Sequence, residues 1–176
     1  ASDDRDLIEL ARHLSQQARD PAPHYEHSTY GYNYRMSNIV AAIGRAQLEA
    51  IEDRVASRRT IYQRYHSGLR ALPGIRFMPE MPYGRHTRWL TTLEITPGRF
   101  GHSPEAVRLA LETENIEARP VWKPMHLQPV FRDAPAFGGS VSEALFSHGL
   151  CLPSGSSMTE SQQERVTTLI QTLARQ

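Results

Sequence analysis

Between Ser37 and Leu72 the apolar positions fall three or four apart. Ile39, Ile43 and Ala46 follow one face, then Leu48, Ile51, Val55, Tyr62, Tyr65, Leu69 and Leu72 carry a stripe onward. That spacing predicts one long helix, with Arg54, Arg58, Arg59, Glu52 and Asp53 largely off the stripe. Ser37 is suited to cap its first turn, and Pro73-Gly74 to end it. At the usual rise per residue such a helix spans roughly 54 Å, more than the width of a small domain. A helix of that length bridges two bodies or forms a subunit contact, and Gly44 and Gly68 are the positions where a kink would divide it.

The flanking segments carry shorter patterns. Asp3 or Asp4 caps a first helix with Leu7, Ile8, Leu10, Ala11 and Leu14 on its buried face, stopped by the prolines of Arg19-Asp-Pro-Ala-Pro. His24 to Tyr30 reads as an irregular loop. After Gly74 come a short strand, Ile75-Arg-Phe-Met, a polar turn from Gly84 to Arg88, and a buried strand from Trp89 to Ile95. Ser103-Pro104-Glu105 starts a helix that carries Ala106, Val107, Leu109, Ala110 and Leu111 and ends near Glu114-Asn115. Ile116 to Trp122 reads as a strand, Pro129 to Gly139 as a loop with short turns, Ser142 to His148 as a helix and Gly149 to Pro153 as a short strand. Thr159 with Gln162 forms a capping box for a last helix facing inward through Val166, Leu169, Ile170 and Leu173. The order from Gly74 onward predicts an α/β sandwich, helices on one face of a small sheet.

Composition narrows the class. The chain has 176 residues, 39% hydrophobic and 22% charged, in the range of a globular domain. A net charge of +1 gives no broad electrostatic footprint for nucleic acid or membrane. The single cysteine, Cys151, excludes an intramolecular disulfide and fits a reducing, cytoplasmic compartment. No apolar run approaches the roughly 20 residues a bilayer requires. The opening Ala1-Ser-Asp-Asp lacks an initiator methionine and enters a helical pattern at once, as a chain cut from something longer would.

No Gly-rich phosphate loop and no Cys/His set with zinc spacing is present. His24 and His27 have no third ligand nearby, and Ser154-Gly-Ser lacks the surroundings of a nucleophile elbow. Two polar segments carry more. Gly31-Tyr-Asn-Tyr-Arg-Met-Ser sets an amide, Asn33, and a guanidinium, Arg35, just ahead of a helix start, where an anion is favoured. A loop whose polar groups merely cap the helix is an equally good reading of the same residues. Arg119-Pro-Val-Trp-Lys-Pro-Met-His-Leu-Gln-Pro sets cations and an aromatic on a rigid, proline-fixed segment. It suits recognition of an anionic or sugar-like ligand, or else is a solvated connection. Arg88 and Trp89 are candidates for the same cleft, whereas Arg85 and His86 read as an ordinary charged turn.

These motifs resemble the DegT/DnrJ/EryC1/StrS family of sugar aminotransferases dependent on pyridoxal 5′-phosphate (PLP). The resemblance runs through Asp3-Asp4-Arg-Asp-Leu, Gly31-Tyr-Asn-Tyr-Arg-Met-Ser-Asn, Ala41-Ala-Ile-Gly, Gln47-Leu48 and Arg58-Arg59. Arg88-Trp-Leu-Thr, Asn115 to Phe131 and Leu152-Pro-Ser-Gly are similar to a branch that aminates UDP-linked 4-keto-6-deoxy-N-acetylhexosamines for glycans and exopolysaccharides. It implies the C-terminal part of a type I aminotransferase fold, active as a homodimer. Residues 1–36 would be the edge of the large domain, 37–73 a linking helix and 74–176 the small domain. Asn33 would reach a neighbouring subunit's PLP phosphate, and Arg35 the same phosphate or the nucleotide diphosphate. Arg88, Trp122, Lys123 and His126 would lie near the nucleotide sugar, with an amino donor (glutamate in relatives) as second substrate.

Family members are about twice this length, and their Schiff-base lysine lies in the portion that this chain does not resemble. Lys123, the only lysine, falls in a different motif, so no catalytic residue is expected here and the chain alone is expected to be inactive. A dimerisation or regulatory module of the same fold, and a PLP dehydratase with histidine in place of that lysine, stand as alternatives.

Overall fold

The computed structural model describes residues 2–174. They form two compact units, with the boundary between Ala50 and Ile51.

The first unit holds two helices, α1 (Arg5–Ser15) and α2 (Asn38–Glu49). Asp4 caps α1 by accepting from the Leu7 amide, and Ser37 caps α2 by accepting from the Val40 amide, as their sequence positions predict. The expected burial does not follow. Leu7, Leu10, Ile39, Ile43 and Leu48 are all exposed, and neither helix buries a residue. The periodicity forms an apolar face correctly, but nothing within the unit is large enough to cover it.

The helical run that the sequence suggests as continuous is interrupted at Ala50 (φ −100°, ψ 5°), and α3 (Ile51–Leu69) begins the second unit. Gly44 and Gly68 both lie inside regular helix. Ile61, Tyr65 and Leu69 of α3, four residues apart, are buried against a four-stranded antiparallel sheet. Its members, with the intervening helices, are β1 (Ile75–Phe77), β2 (Thr91–Ile95), α4 (Pro97–Phe100), α5 (Pro104–Thr113), β3 (Arg119–Pro120), α6 (Ser140–His148) and β4 (Gly149–Leu152), followed by α7 (Glu160–Leu173).

The strand order is β1-β2-β4-β3. Leu93 pairs with Leu150 and Thr91 with Leu152, so alternate residues of the two central strands enter the core together. There they meet Val107 and Leu111 of α5 and Val166 and Ile170 of α7. Burying these side chains, at roughly 25 cal/mol per Å² of apolar area, is the main favourable term of this unit. Ser103 caps α5, and Thr159 with Gln162 closes both arms of the capping box of α7. Glu94 and Arg76 occupy the opposite face and line a small cleft with Val141, Ala144 and Leu145 of α6. Three helices therefore cover one face, while α6 sits at the other. The strand expected from Ile116 to Trp122 shrinks to Arg119–Pro120, because only Cys151 and Leu150 of β4 offer it a pairing edge.

Candidate functional site

Two places gather the candidate residues, one in each unit. In the first, α1 ends in a turn through Gln17 (φ 66°) and Ala18 (φ 51°), both left-handed. The Gly31–Arg35 loop returns against that turn. Tyr32 N donates to Leu14 O at 2.9 Å, Gln17 N to Tyr32 O at 3.1 Å and Tyr34 N to Ser15 O at 3.1 Å. A bridge joins Gln16 and Asn33. Gly31 is needed for this approach, since a Cβ there would lie 2.6 Å from both the Ala18 nitrogen and the Leu14 oxygen. The backbone of Asn33 is thus fixed while its side chain is free.

Asn33 and Arg35 are exposed and line one cleft of about 550 Å³ with Arg12, His13, Gln16 and Arg19. Neither side chain makes a hydrogen bond or ion pair among the described residues. Residues of the α2 N-terminus do not line this cleft, so the donors come from the last turn of α1 and from the loop. The lining also holds the carboxylates of Glu9 and Asp20, so one amide and three guanidinium groups leave a surplus of positive donors, which suits the oxygens of a phosphomonoester such as that of PLP. No lysine stands among the lining residues.

In the second unit, Trp122 and Lys123 line a cleft of about 920 Å³ whose wall also includes Trp89, Arg119, Leu152 and Ser154. Trp89 and Trp122 face each other with centroids 5.7 Å apart and planes 31° apart. Arg119 is paired with Glu117, whereas Lys123 makes no ion pair among the described residues. Arg58, on α3, donates to the carbonyls of Trp89 and Ser154 and so ties both walls to the helix. The Ser154 hydroxyl accepts from the Thr91 amide at 2.8 Å and donates to Leu152 O at 2.8 Å, a buried structural link.

The other two expected substrate residues lie elsewhere. Arg88 does not line this cleft; it is 4% exposed, and its guanidinium donates to Met78 O at 2.9 Å. His126 hydrogen-bonds Glu143 (Nε2 to Oε1, 2.9 Å) and lies against Gly139, outside the cleft. Sequence reasoning assigned no partner to Arg59, which makes two bonds to Glu80 at 2.8 and 3.0 Å and a third to His86 O at 2.6 Å. Those bonds and the His86 amide hold the Glu80 carboxyl down at about 2. The buried Cys151 thiol is pushed up by desolvation. Among the described residues no three His, Cys, Asp or Glu side chains gather as a metal site, and no helix is long and apolar enough to cross a membrane.

A Bacillus subtilis (strain 168) protein, EpsN, whose name carries "pyridoxal phosphate-dependent aminotransferase", is 53% identical over 169 residues, covering 94% of this chain and 43% of its own length. A GDP-perosamine synthase of Caulobacter vibrioides is 34% identical over 166 residues, 94% of this chain and 44% of the synthase. Among solved structures, DesI in the presence of its TDP-sugar product superposes at a TM-score of 0.76 with 26% identity, covering 99% of this chain and 44% of DesI. The chain therefore spans less than half the length of the proteins it matches, and its fold is that of the corresponding part of PLP sugar aminotransferases. With residues 1–171 matched by the family's profile, the chain belongs to the DegT/DnrJ/EryC1/StrS aminotransferase family.

Proposed function

We propose that this chain is the C-terminal portion of a PLP-dependent sugar aminotransferase. Its reaction moves an amino group, from glutamate as donor, to the C4 keto group of a nucleotide-linked 4-keto-6-deoxy sugar in glycan or polysaccharide biosynthesis. The observation that carries this reading is the cleft beside α1, where the free donors of Asn33 and Arg35 meet the guanidinium groups of Arg12 and Arg19. Names of relatives support the substrate class: one is a GDP-perosamine synthase, and another was solved with a TDP-sugar product.

In this reading Asn33 and Arg35 hold the cofactor phosphate, reaching into the pocket of a second copy in a homodimer. PLP, when bound, supplies the electron sink for amino transfer. Trp122 and Lys123 bind the nucleotide sugar. His126, braced by Glu143, and the buried Arg88, next to Trp89 in the chain, shape the segments that carry those side chains. The compartment is the cytoplasm, whose reducing conditions suit one buried free thiol.

The test is Asn33→Ala in the protein encoded by the whole gene, with PLP retention followed by cofactor absorbance through serial dilution. Losing a hydrogen bond to a charged phosphate raises the dissociation constant by about tenfold or more. Retention equal to that of the wild type overturns the phosphate role.

A further inference from the structure

We propose that His27 is a positioning residue of the cleft beside α1: its Nδ1 hydrogen holds the turn that sets Arg19 and Asn33 in place for a phosphate. The inference rests on the phosphate role given above to Asn33 and Arg35. It adds a residue that does not itself line the cleft.

The turn needs such support. Gln17 (φ 66°) and Ala18 (φ 51°) are consecutive left-handed residues, and each bears a side chain. That conformation is disfavoured for L-residues, and two in succession persist only where the surroundings fix them. The Gln17 amide donates to Tyr32 O at 3.1 Å, and the amide of the fully buried Ala18 donates to His13 O at 3.0 Å. The carbonyls of both residues meet His27, whose Nδ1 lies 3.0 Å from Gln17 O and 3.1 Å from Ala18 O. Among the described residues no other donor reaches either carbonyl. A carbonyl oxygen only accepts, so the ring hydrogen must sit on Nδ1, shared between the two.

His27 is itself presented by a closed loop. The Asp20 carboxylate accepts from the Ser28 amide at 2.6 Å and from its hydroxyl at 3.1 Å, and the Asp20 amide donates to Glu26 O at 2.9 Å. Pro21 and Pro23 stiffen the span between. The same loop carries Tyr25, whose ring centroid lies 4.4 Å from the guanidinium carbon of Arg19. Arg19 directly follows the left-handed pair, and Gln16, which bridges to Asn33, directly precedes it. Loosening the turn therefore displaces an amide and a guanidinium of the cleft together, although His27 makes no hydrogen bond to either.

The test uses the two ring nitrogens. The side-chain amide nitrogen of asparagine stands where Nδ1 of histidine does, and that of glutamine where Nε2 does. In the protein encoded by the whole gene, freed of cofactor, PLP and pyridoxal are titrated in turn and followed by absorbance. Pyridoxal lacks the phosphate, so the ratio of the two affinities isolates the phosphate contribution. His27→Ala and His27→Gln should lower that ratio by about threefold to tenfold, as the loss of one hydrogen bond does. His27→Asn should restore it to within about twofold of the wild type. A protein that is merely destabilised weakens both ligands alike and leaves the ratio unmoved. Nitrogen NMR of histidine-labelled protein, with the His27 signal identified by its loss in His27→Asn, should place the hydrogen on Nδ1.

A ratio lowered as far by His27→Asn as by His27→Gln, or a hydrogen on Nε2 alone, overturns the inference. Asn33→Ala in the same assay separates it from the function on which it rests. A ratio lowered by Asn33→Ala but unmoved by every His27 variant overturns the inference and leaves that function standing. A ratio unmoved by Asn33→Ala and by His27→Gln removes the phosphate role, and the inference with it.

Discussion

The guanidinium carbon of Arg88 lies 3.8 Å from the centroid of the Tyr62 ring. A cation on an aromatic face is ordinary at a surface, but Arg88 is almost wholly buried, and its Nη2 stands 3.6 Å from Glu80. Arg88 also adopts a left-handed backbone (φ 54°), which costs a side-chain-bearing residue on the order of 1 kcal/mol. The contacts of its side chain offset that cost. They pin the turn between β1 and β2 onto α3, just before Trp89.

Removing that pin should be felt in stability. Arg88→Met keeps much of the volume but loses the Met78 bond and the ring contact, and we expect a loss of about 2–4 kcal/mol in urea unfolding. Arg88→Lys should recover less than half, since a compact ammonium cannot both lie flat on Tyr62 and reach Met78 O. The circular dichroism of the paired Trp89 and Trp122 should weaken in both variants under native conditions. An unchanged urea midpoint in Arg88→Met would show that this buried cation contributes nothing.

Glu80 makes the same cluster sensitive to acid. Its carboxyl is held at about 2 in the folded protein, first by the Arg59 side chain and then by the His86 amide, against an ordinary value of 4.5. A depressed folded value contributes stability that is fully present above 4.5 and is lost as pH falls from there towards 2. Glu80→Gln should therefore be less stable than the wild type at pH 7 and flatter in its pH dependence across that acid window. The check is the urea midpoint at pH steps from 7 downward. Parallel acid limbs in the two proteins would exclude Glu80 as a source of the slope.

What could be read from the sequence was local. The caps at Asp4, Ser37, Ser103 and Thr159 all form, because each needs only residues three positions away. Stripes such as Ile61–Tyr65–Leu69 contact the core, although Ile61 itself escaped notice beside Tyr62. Periodicity says that a face is apolar without saying what covers it, hence the exposed faces of α1 and α2. The interruption at Ala50 carries neither glycine nor proline to announce it. The packing of Arg88 was hidden for a related reason: its ring partner and its carboxylate lie 26 and 8 positions upstream in the chain, out of reach of any pattern of spacing. In the candidate site, the free state of Asn33 and the pairing of Trp122 with Trp89 depend on return paths of the backbone, which only the fold reveals.

One contact between α3 and α7, at Gly68 and Thr167, sets the last expectation. A Cβ added at Gly68 would lie 2.6 Å from Cγ2 of Thr167, too near for any real pair of carbons. Alanine at a helical glycine otherwise gains about 0.5–1 kcal/mol, so two opposing effects meet at one position. Thr167 cannot readily turn aside, because its hydroxyl donates to Gln163 O at 3.0 Å and its branched Cβ is stiff at χ1. The clash should win, and Gly68→Ala should destabilise the chain by about 1–2 kcal/mol. Thr167→Ser removes the offending methyl while keeping the hydroxyl; the next contact, Thr167 Cβ, is a comfortable 3.9 Å away. The double variant Gly68→Ala/Thr167→Ser should then be at least as stable as Thr167→Ser alone, with the helix-propensity gain exposed. Urea midpoints of the four proteins in this cycle measure the coupling directly. Additive effects of the two substitutions would mean that the helices adjust by sliding apart, and that this contact does not set their spacing.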